Sequence, residues 1–149
     1  MYKRQANDDP TLEHGGSFTP PVDTDGDGIP DFLDTDPLAE IGVAKQVVGQ
    51  PVAQPDGSFA VTYEIVVENT GGADLTDVSV LEDLAAEFGP AFVSAGNAAI
   101  STPPADPTSI IVLNSAFDGS SDSELIDNSA GTILQIGDSF TLQLSLIHI

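Results

Sequence analysis

The residues with the clearest chemistry are the aspartates of VDTDGDGIPDFLDTDP, residues 22 to 37, which hold six carboxylates and no Lys or Arg. With Asp23 as position 1, carboxylates fall at positions 1, 3, 5, 9 and 12: Asp23, Asp25, Asp27, Asp31 and Asp34. Gly28 stands at position 6, and Ile29 at position 7 can offer its backbone carbonyl. These are the positions from which an EF-hand-type loop supplies oxygen to Ca2+. Calcium takes about six to eight hard oxygens at roughly 2.3–2.6 Å, so alternate side chains must converge while the chain wraps the ion. A glycine at position 6 permits the sharp bend. Without the ion, carboxylates at this density repel one another.

Two features separate the loop from a true EF-hand. Position 12 is Asp34 rather than the longer Glu, and Pro30 with TPPV upstream leaves no flanking helices. DTDGDGIPDFLDTDP instead resembles the thrombospondin type-3 repeat, whose D-x-D-x-D-G-x-x-D-x-x-D-x-D pattern is complete here through Asp36. That resemblance implies calcium binding by Asp23, Asp25, Asp27, Ile29, Asp31, Asp34 and Asp36, and a linker that the ion stiffens. A solvated acidic linker is the plain alternative. A paired-loop dockerin is disfavoured, because only one such loop is present.

The acidic composition of the whole chain suits solubility at high ionic strength, cation binding, or both. Net charge is −21, from 24 acidic and 3 basic residues among 149, and there is no cysteine. Phosphate contacts need clustered Lys and Arg, so nucleic acid is excluded as a partner, and an anionic membrane surface is disfavoured too. Without Cys there is no disulfide framework, thiolate metal site or thiol nucleophile. No G-x-S-x-G, P-loop or H-E-x-x-H pattern occurs. The scattered serines lack a partner histidine, and His14 sits in a polar linker. A carboxylate pair for glycoside hydrolysis would need a cleft that nothing in the pattern builds. DGSSDSELID, residues 118 to 127, is a weaker second cation candidate whose acids lack loop spacing.

The two ends resemble a translated sequencing adapter. GTG TAT AAG AGA CAG reads as MYKRQ with GTG initiating, and CTG TCT CTT ATA CAC ATC reads as LSLIHI; the two strings are reverse complements over their shared part. The expectation is that residues 1 to 5 and 144 to 149 are of adapter origin, to be set aside from fold reasoning. Lys45 and His14 are then the only base and the only histidine of residues 6 to 143.

These carboxylates must be positioned by what surrounds them. Residues 6 to 21 mix Pro, Gly and polar residues without hydrophobic period and read as linker. From Ile41 the pattern becomes strand-like. In FAVTYEIVVEN, Val61, Tyr63, Ile65 and Val67 share one face, and Thr62, Glu64 and Glu68 the other. Asp56-Gly57 predicts a hairpin back to IGVAKQVVG. Further strands are expected in LTDVSVLED, SIIVLN (109 to 114), TILQI (132 to 136) and SFTLQL, with a helical turn or irregular crossover at EDLAAEFG. The expected fold is all-β, an antiparallel immunoglobulin-like sandwich preceded by an irregular calcium-binding loop and linker. Val61, Tyr63, Ile65, Val67, Val78, Val80 and Leu142 form its expected core.

GVAKQVVG…DGSFAVTYEIVVENTGGADLTDVSVLEDLAAEFG resembles the conserved-repeat domains of unknown function found in tandem on bacterial surface proteins. The likeness spans most of residues 41 to 143, with Leu81 where a small polar residue is usual. It implies a spacer or adhesive module without catalytic residues, extracellular or at the cell surface. Its implied partners are calcium, neighbouring repeats of the same chain, and surface glycans or proteins, with no membrane insertion. The competing expectation is an accessory or carbohydrate-binding region of a secreted enzyme whose catalytic domain lies elsewhere.

Overall fold

A computed structural model describes residues 38–149. The chain is all-β in this region, with antiparallel sheets and one short helix. β1 (Ile41–Ala53) and β2 (Phe59–Asn69) form the expected hairpin. Its turn rests on Gly57 at φ 87°, which glycine adopts without a Cβ clash. The Asp56 carboxylate accepts from the Ser58 amide at 3.0 Å and hydroxyl at 2.7 Å.

β3 (Leu75–Thr76) and β5 (Ile133–Leu134) pair with each other. β4 (Phe92–Thr102) and β6 (Ser139–His148) complete a four-stranded sheet of order β1-β2-β6-β4. β6 alternates strictly: Phe140, Leu142, Leu144 and Leu146 are buried, and Ser139, Thr141, Gln143 and Ser145 face away. Burying each such side chain contributes roughly 1.5–3 kcal/mol. The register sets Ile65 opposite Leu142 and Val67 opposite Phe140, so the two central strands present one continuous apolar face. The strand runs past 143, the boundary expected for the sandwich, through Leu144 and Leu146.

A second, irregular layer covers that face. Ile65, Val67, Phe140 and Leu142 pack with Val78, Val80, Leu125, Ile126 and Leu134. A neighbouring cluster joins Val61, Leu84, Leu144 and Leu146, flanked by Phe88, Phe92 and Phe117. The expected core is therefore buried, except that Tyr63 is only half-buried. EDLAAEFG takes the helical option: α1 (Leu84–Phe88) is capped by Asp83, whose carboxylate accepts from the Ala86 amide at 2.9 Å.

Three expected strands are shorter than their apolar runs. LTDVSVLED keeps a ladder only at Leu75–Thr76, because Asp77 turns to φ 55° and donates its amide to the Thr132 carbonyl at 3.1 Å. SIIVLN forms isolated bridges, Ile110 to Ile133 and Leu113 to Ile126, changing partner midway. TILQI is a strand only at Ile133–Leu134. Conversely, β4 lies in FVSAGNAAIST, which carries no clear alternation. It takes its shape from β6, with register shifts between Phe92 and Ser94, Gly96 and Ala99, and Ile100 and Thr102.

Candidate metal centre

Asp23, Asp25, Asp27, Ile29, Asp31, Asp34 and Asp36 all lie outside the described residues, as does His14. Their donor set remains a chemical fact of the sequence. Six carboxylates and one main-chain carbonyl, all hard oxygens at loop spacing, fit calcium rather than a thiophilic or imidazole-seeking metal.

The chain just after them is described, and it is held firmly. The Leu38 carbonyl accepts from the Gly72 amide at 2.8 Å, and the Glu40 carbonyl accepts from Thr70 at 3.0 Å and Gly71 at 3.2 Å. Gly71 makes this possible. A Cβ there would stand 2.4 Å from both the Glu40 nitrogen and the Leu38 oxygen. The same turn is organised from inside by Asn69, which is 1% exposed. Its Nδ2 donates to the carbonyls of Ala73 (2.8 Å) and Leu134 (3.0 Å), and its Oδ1 accepts from the Gly71 amide at 3.1 Å. The Asn and Gly of VENTGG thus form a socket for the strand entry that follows the aspartate loop.

The second cation candidate, residues 118 to 127, is braced from within. Asp118 accepts from the amides of Ser120 (2.8 Å) and Asp122 (3.0 Å) and from the Ser121 hydroxyl. These donors, the Asp122 amide foremost, hold its carboxyl down at about 2. Asp122 accepts from Asn114 Nδ2 at 3.0 Å and the Glu124 amide at 3.1 Å. Glu124 accepts from the amides of Val80 (2.8 Å) and Ile126 (3.2 Å). Both oxygens of Asp118 and one oxygen of Asp122 are thus engaged by the turn's own donors. Among the described residues no group of three or more His, Asp or Glu is arranged to hold a metal ion.

Sequence reasoning missed Asp138, which is 8% exposed. Its Oδ1 accepts from the amides of Ala105 and Ser139, both at 2.9 Å, and its Oδ2 from the Asp106 amide at 3.1 Å and the Ser109 hydroxyl at 2.7 Å. Burial pushes its carboxyl up, but the Ala105, Ser109, Asp106 and Ser139 donors outweigh that and leave it lowered. No local pattern signals this role, since its partners stand 29 to 33 positions away apart from Ser139. Lys45 is the one Lys or Arg of residues 38–149. Its Nζ lies 2.7 Å from Glu82, 3.7 Å from Glu87 and 4.7 Å above the Tyr63 ring. Partial burial lowers its pKa, and the Glu82 hydrogen bond with the Glu82 and Glu87 charges reverses this to a net rise.

Two shallow depressions flank β4, of about 280 Å³ (Ala60, Ser94, Ala95, Gly96, Ser145, Ile147) and about 300 Å³ (Gly96, Ala98, Leu113, Asn114, Ser115, Phe117). Neither is lined by an ionisable side chain, so neither offers a general acid or base. Comparison of the chain with family models, curated proteins and solved structures finds no match.

Proposed function

We propose that the chain is a non-catalytic structural or adhesive module of a modular bacterial surface or secreted protein, in which a calcium-binding linker leads into an immunoglobulin-like sandwich. The observation that carries this reading is the complete oxygen-donor spacing of Asp23, Asp25, Asp27, Ile29, Asp31, Asp34 and Asp36. It is supported by the socket at Asn69, Gly71 and Gly72, which grips the chain directly after that loop. A linker gains stiffness only if its downstream end is fixed, and Leu38 and Glu40 are fixed by main-chain bonds. Calcium would supply the counter-charge that lets the carboxylates converge.

Calorimetric titration of the full 149-residue chain with calcium tests this. A dissociation constant of about 10⁻⁴–10⁻³ M is expected, in the range of extracellular modules. A tenfold excess of calcium over that constant would stabilise the ordered loop by about 1.4 kcal/mol. Asp27→Ala removes a central ligand and should abolish the heat while the circular dichroism of the strands is unchanged. Magnesium should substitute poorly, because it demands a smaller, near-octahedral cage. Absence of any heat at several-fold millimolar calcium leaves only a solvated acidic linker.

A further inference from the structure

We infer that residues 38–149 form a force-bearing module, in which the β1–β2 ladder is the clamp that resists tension applied between Leu38 and Ile149. This role rests on the reading of the chain as a structural module and owes nothing to calcium. β1 and β6 flank β2, and each runs antiparallel to it, so they run parallel to each other. Ile41 stands opposite Asn69 at one end of β2, and His148 stands opposite Phe59 at the other. β1 therefore begins at one end of the sheet, and β6 finishes at the opposite end. Tension between those two points acts along the strands. Ladder hydrogen bonds lie across the strands, so the pull shears them together instead of opening them one at a time.

β1 is the strand that must give first. β6 is held by both β2 and β4, whereas among the described residues β1 is held by β2 alone. Neither core cluster takes a side chain from β1, so its grip is chiefly main-chain. Three features oppose its sliding. The ladder is unbroken from Ile41 opposite Asn69 to Val48 opposite Thr62, and the Leu38 and Glu40 carbonyls extend it by accepting from Gly72, Thr70 and Gly71. Lys45 ties β1 to Glu82 and Glu87, beside and within α1. The third is the register shift between Val48 and Val52. Tension draws β1 towards its Ile41 end, which drives Gly49, at φ 74°, and Pro51 into the ladder opposite Thr62. Pro51 has no amide to donate there. A slip of one residue also turns every β1 side chain to the opposite face. The nearest register of like facing lies two residues on, about 7 Å away. Once β1 is gone the geometry changes, because β2 begins with Phe59 directly beside His148. That ladder then opens from its end like a zipper, and the rest of the domain follows in one step.

Single-molecule stretching of the full chain in EGTA tests this. The sequence contains no cysteine, so paired substitutions give unique attachment points. Leu38→Cys with Ile149→Cys applies the shear. Leu38→Cys with Ser139→Cys pulls from the same residue towards the start of β6, at the Ile41 end of the sheet, and unzips β1 from β2. All three positions are exposed, so urea denaturation should give the two variants the same equilibrium stability, and only the direction of the pull then differs. At one loading rate the shear pair should rupture at about twofold or more the force of the zipper pair, because forced unfolding follows the unfolding barrier. The shear pair should also lengthen in a single step to the full contour of residues 38–149, at roughly 3.3–3.6 Å for each residue. Equal forces in the two directions would overturn the inference. So would a stretched intermediate that has lost β1 but keeps β2, β4 and β6. The force ratio is read without calcium, so it stands or falls separately from the calorimetric titration.

Discussion

Asp138 reaches back 29 residues to Ser109, accepting the serine hydroxyl on its Oδ2 at 2.7 Å. The same carboxylate takes three amides, from Ala105, Asp106 and Ser139. One buried side chain therefore ties the segment after β4 to the start of β6. Asp138→Ala should cost roughly 1–3 kcal/mol, because it leaves partly buried donors unpaired. Asp138→Asn should also destabilise, since a single carbonyl oxygen cannot serve both pairs of donors. Urea denaturation of the two variants checks this; a neutral Asn variant would mean one oxygen suffices.

Ile65 and Thr62 lie on opposite faces of β2, one 1% exposed in the core and the other part-buried beside Ser145. Ile65→Ala should cost roughly 2–5 kcal/mol through lost burial and the cavity left behind. Thr62→Ala loses only a 3.4 Å hydroxyl contact and should cost a few tenths at most. Equal losses in chemical denaturation would place the core on the wrong side of the strand.

These two cases mark what the sequence made legible. Ile65 belongs to an unbroken alternation, and period-two burial follows directly from strand geometry, so β2, β6 and their apolar face could be read off. The Asp56-Gly57 turn was legible for a related reason: its chemistry is local. β4 was not, because its Ala, Gly and Ser residues have weak strand preference and it is shaped by pairing to β6. Asp138 and Asn69 were invisible as well, since their partners are brought by the fold from distant positions. The aspartate loop is the reverse case: its pattern is plain in sequence and its residues lie outside the described region.

Acid should unfold the chain through its turn carboxylates. Asp118 is lowered from 3.8 to about 2, and Asp56, Asp106, Asp127 and Asp138 are lowered as well. A folded pKa below the unfolded value means the stabilisation is present above the unfolded value and lost as pH falls through the folded one. Melting temperature should therefore be flat near neutrality and fall from about pH 4 towards pH 2. In Asp118→Asn the fall should be shallower, because one proton-linked group is gone. An identical acid slope would show that the Asp118 turn is not coupled to unfolding.

Asp77 is the one non-glycine residue with positive φ among those described, at 55°. Left-handed backbone costs an ordinary L-residue roughly 1–2 kcal/mol, and Asp tolerates it better than most. Asp77→Val should destabilise by about 1 kcal/mol or more, while Asp77→Gly should be nearly neutral, relief of strain offsetting added freedom in the unfolded chain. Thermal denaturation of the pair decides; a stabilising Val would mean β3 continues through this position.

Gly71 gives the most local test of the socket. Its φ is not left-handed, so the requirement for glycine is steric: a methyl group would stand 2.4 Å from the main-chain atoms of Leu38 and Glu40. Backbone cannot yield as a flexible side chain does, so Gly71→Ala must displace residues 38–40. The amides of Thr70 and Gly72, which donate to Glu40 and Leu38, should then exchange faster. The amides of β2 and β6 around Ile65 and Leu142 should keep their protection, because that core lies in a separate ladder. Calcium should still bind, since every proposed ligand precedes the displaced segment, but calcium should no longer change the tumbling of the loop with the domain. That is measurable as heteronuclear NMR relaxation of residues 22–40 with and without the ion. If Gly71→Ala leaves exchange at Thr70 and Gly72 unchanged, the entry strand is not held by this turn.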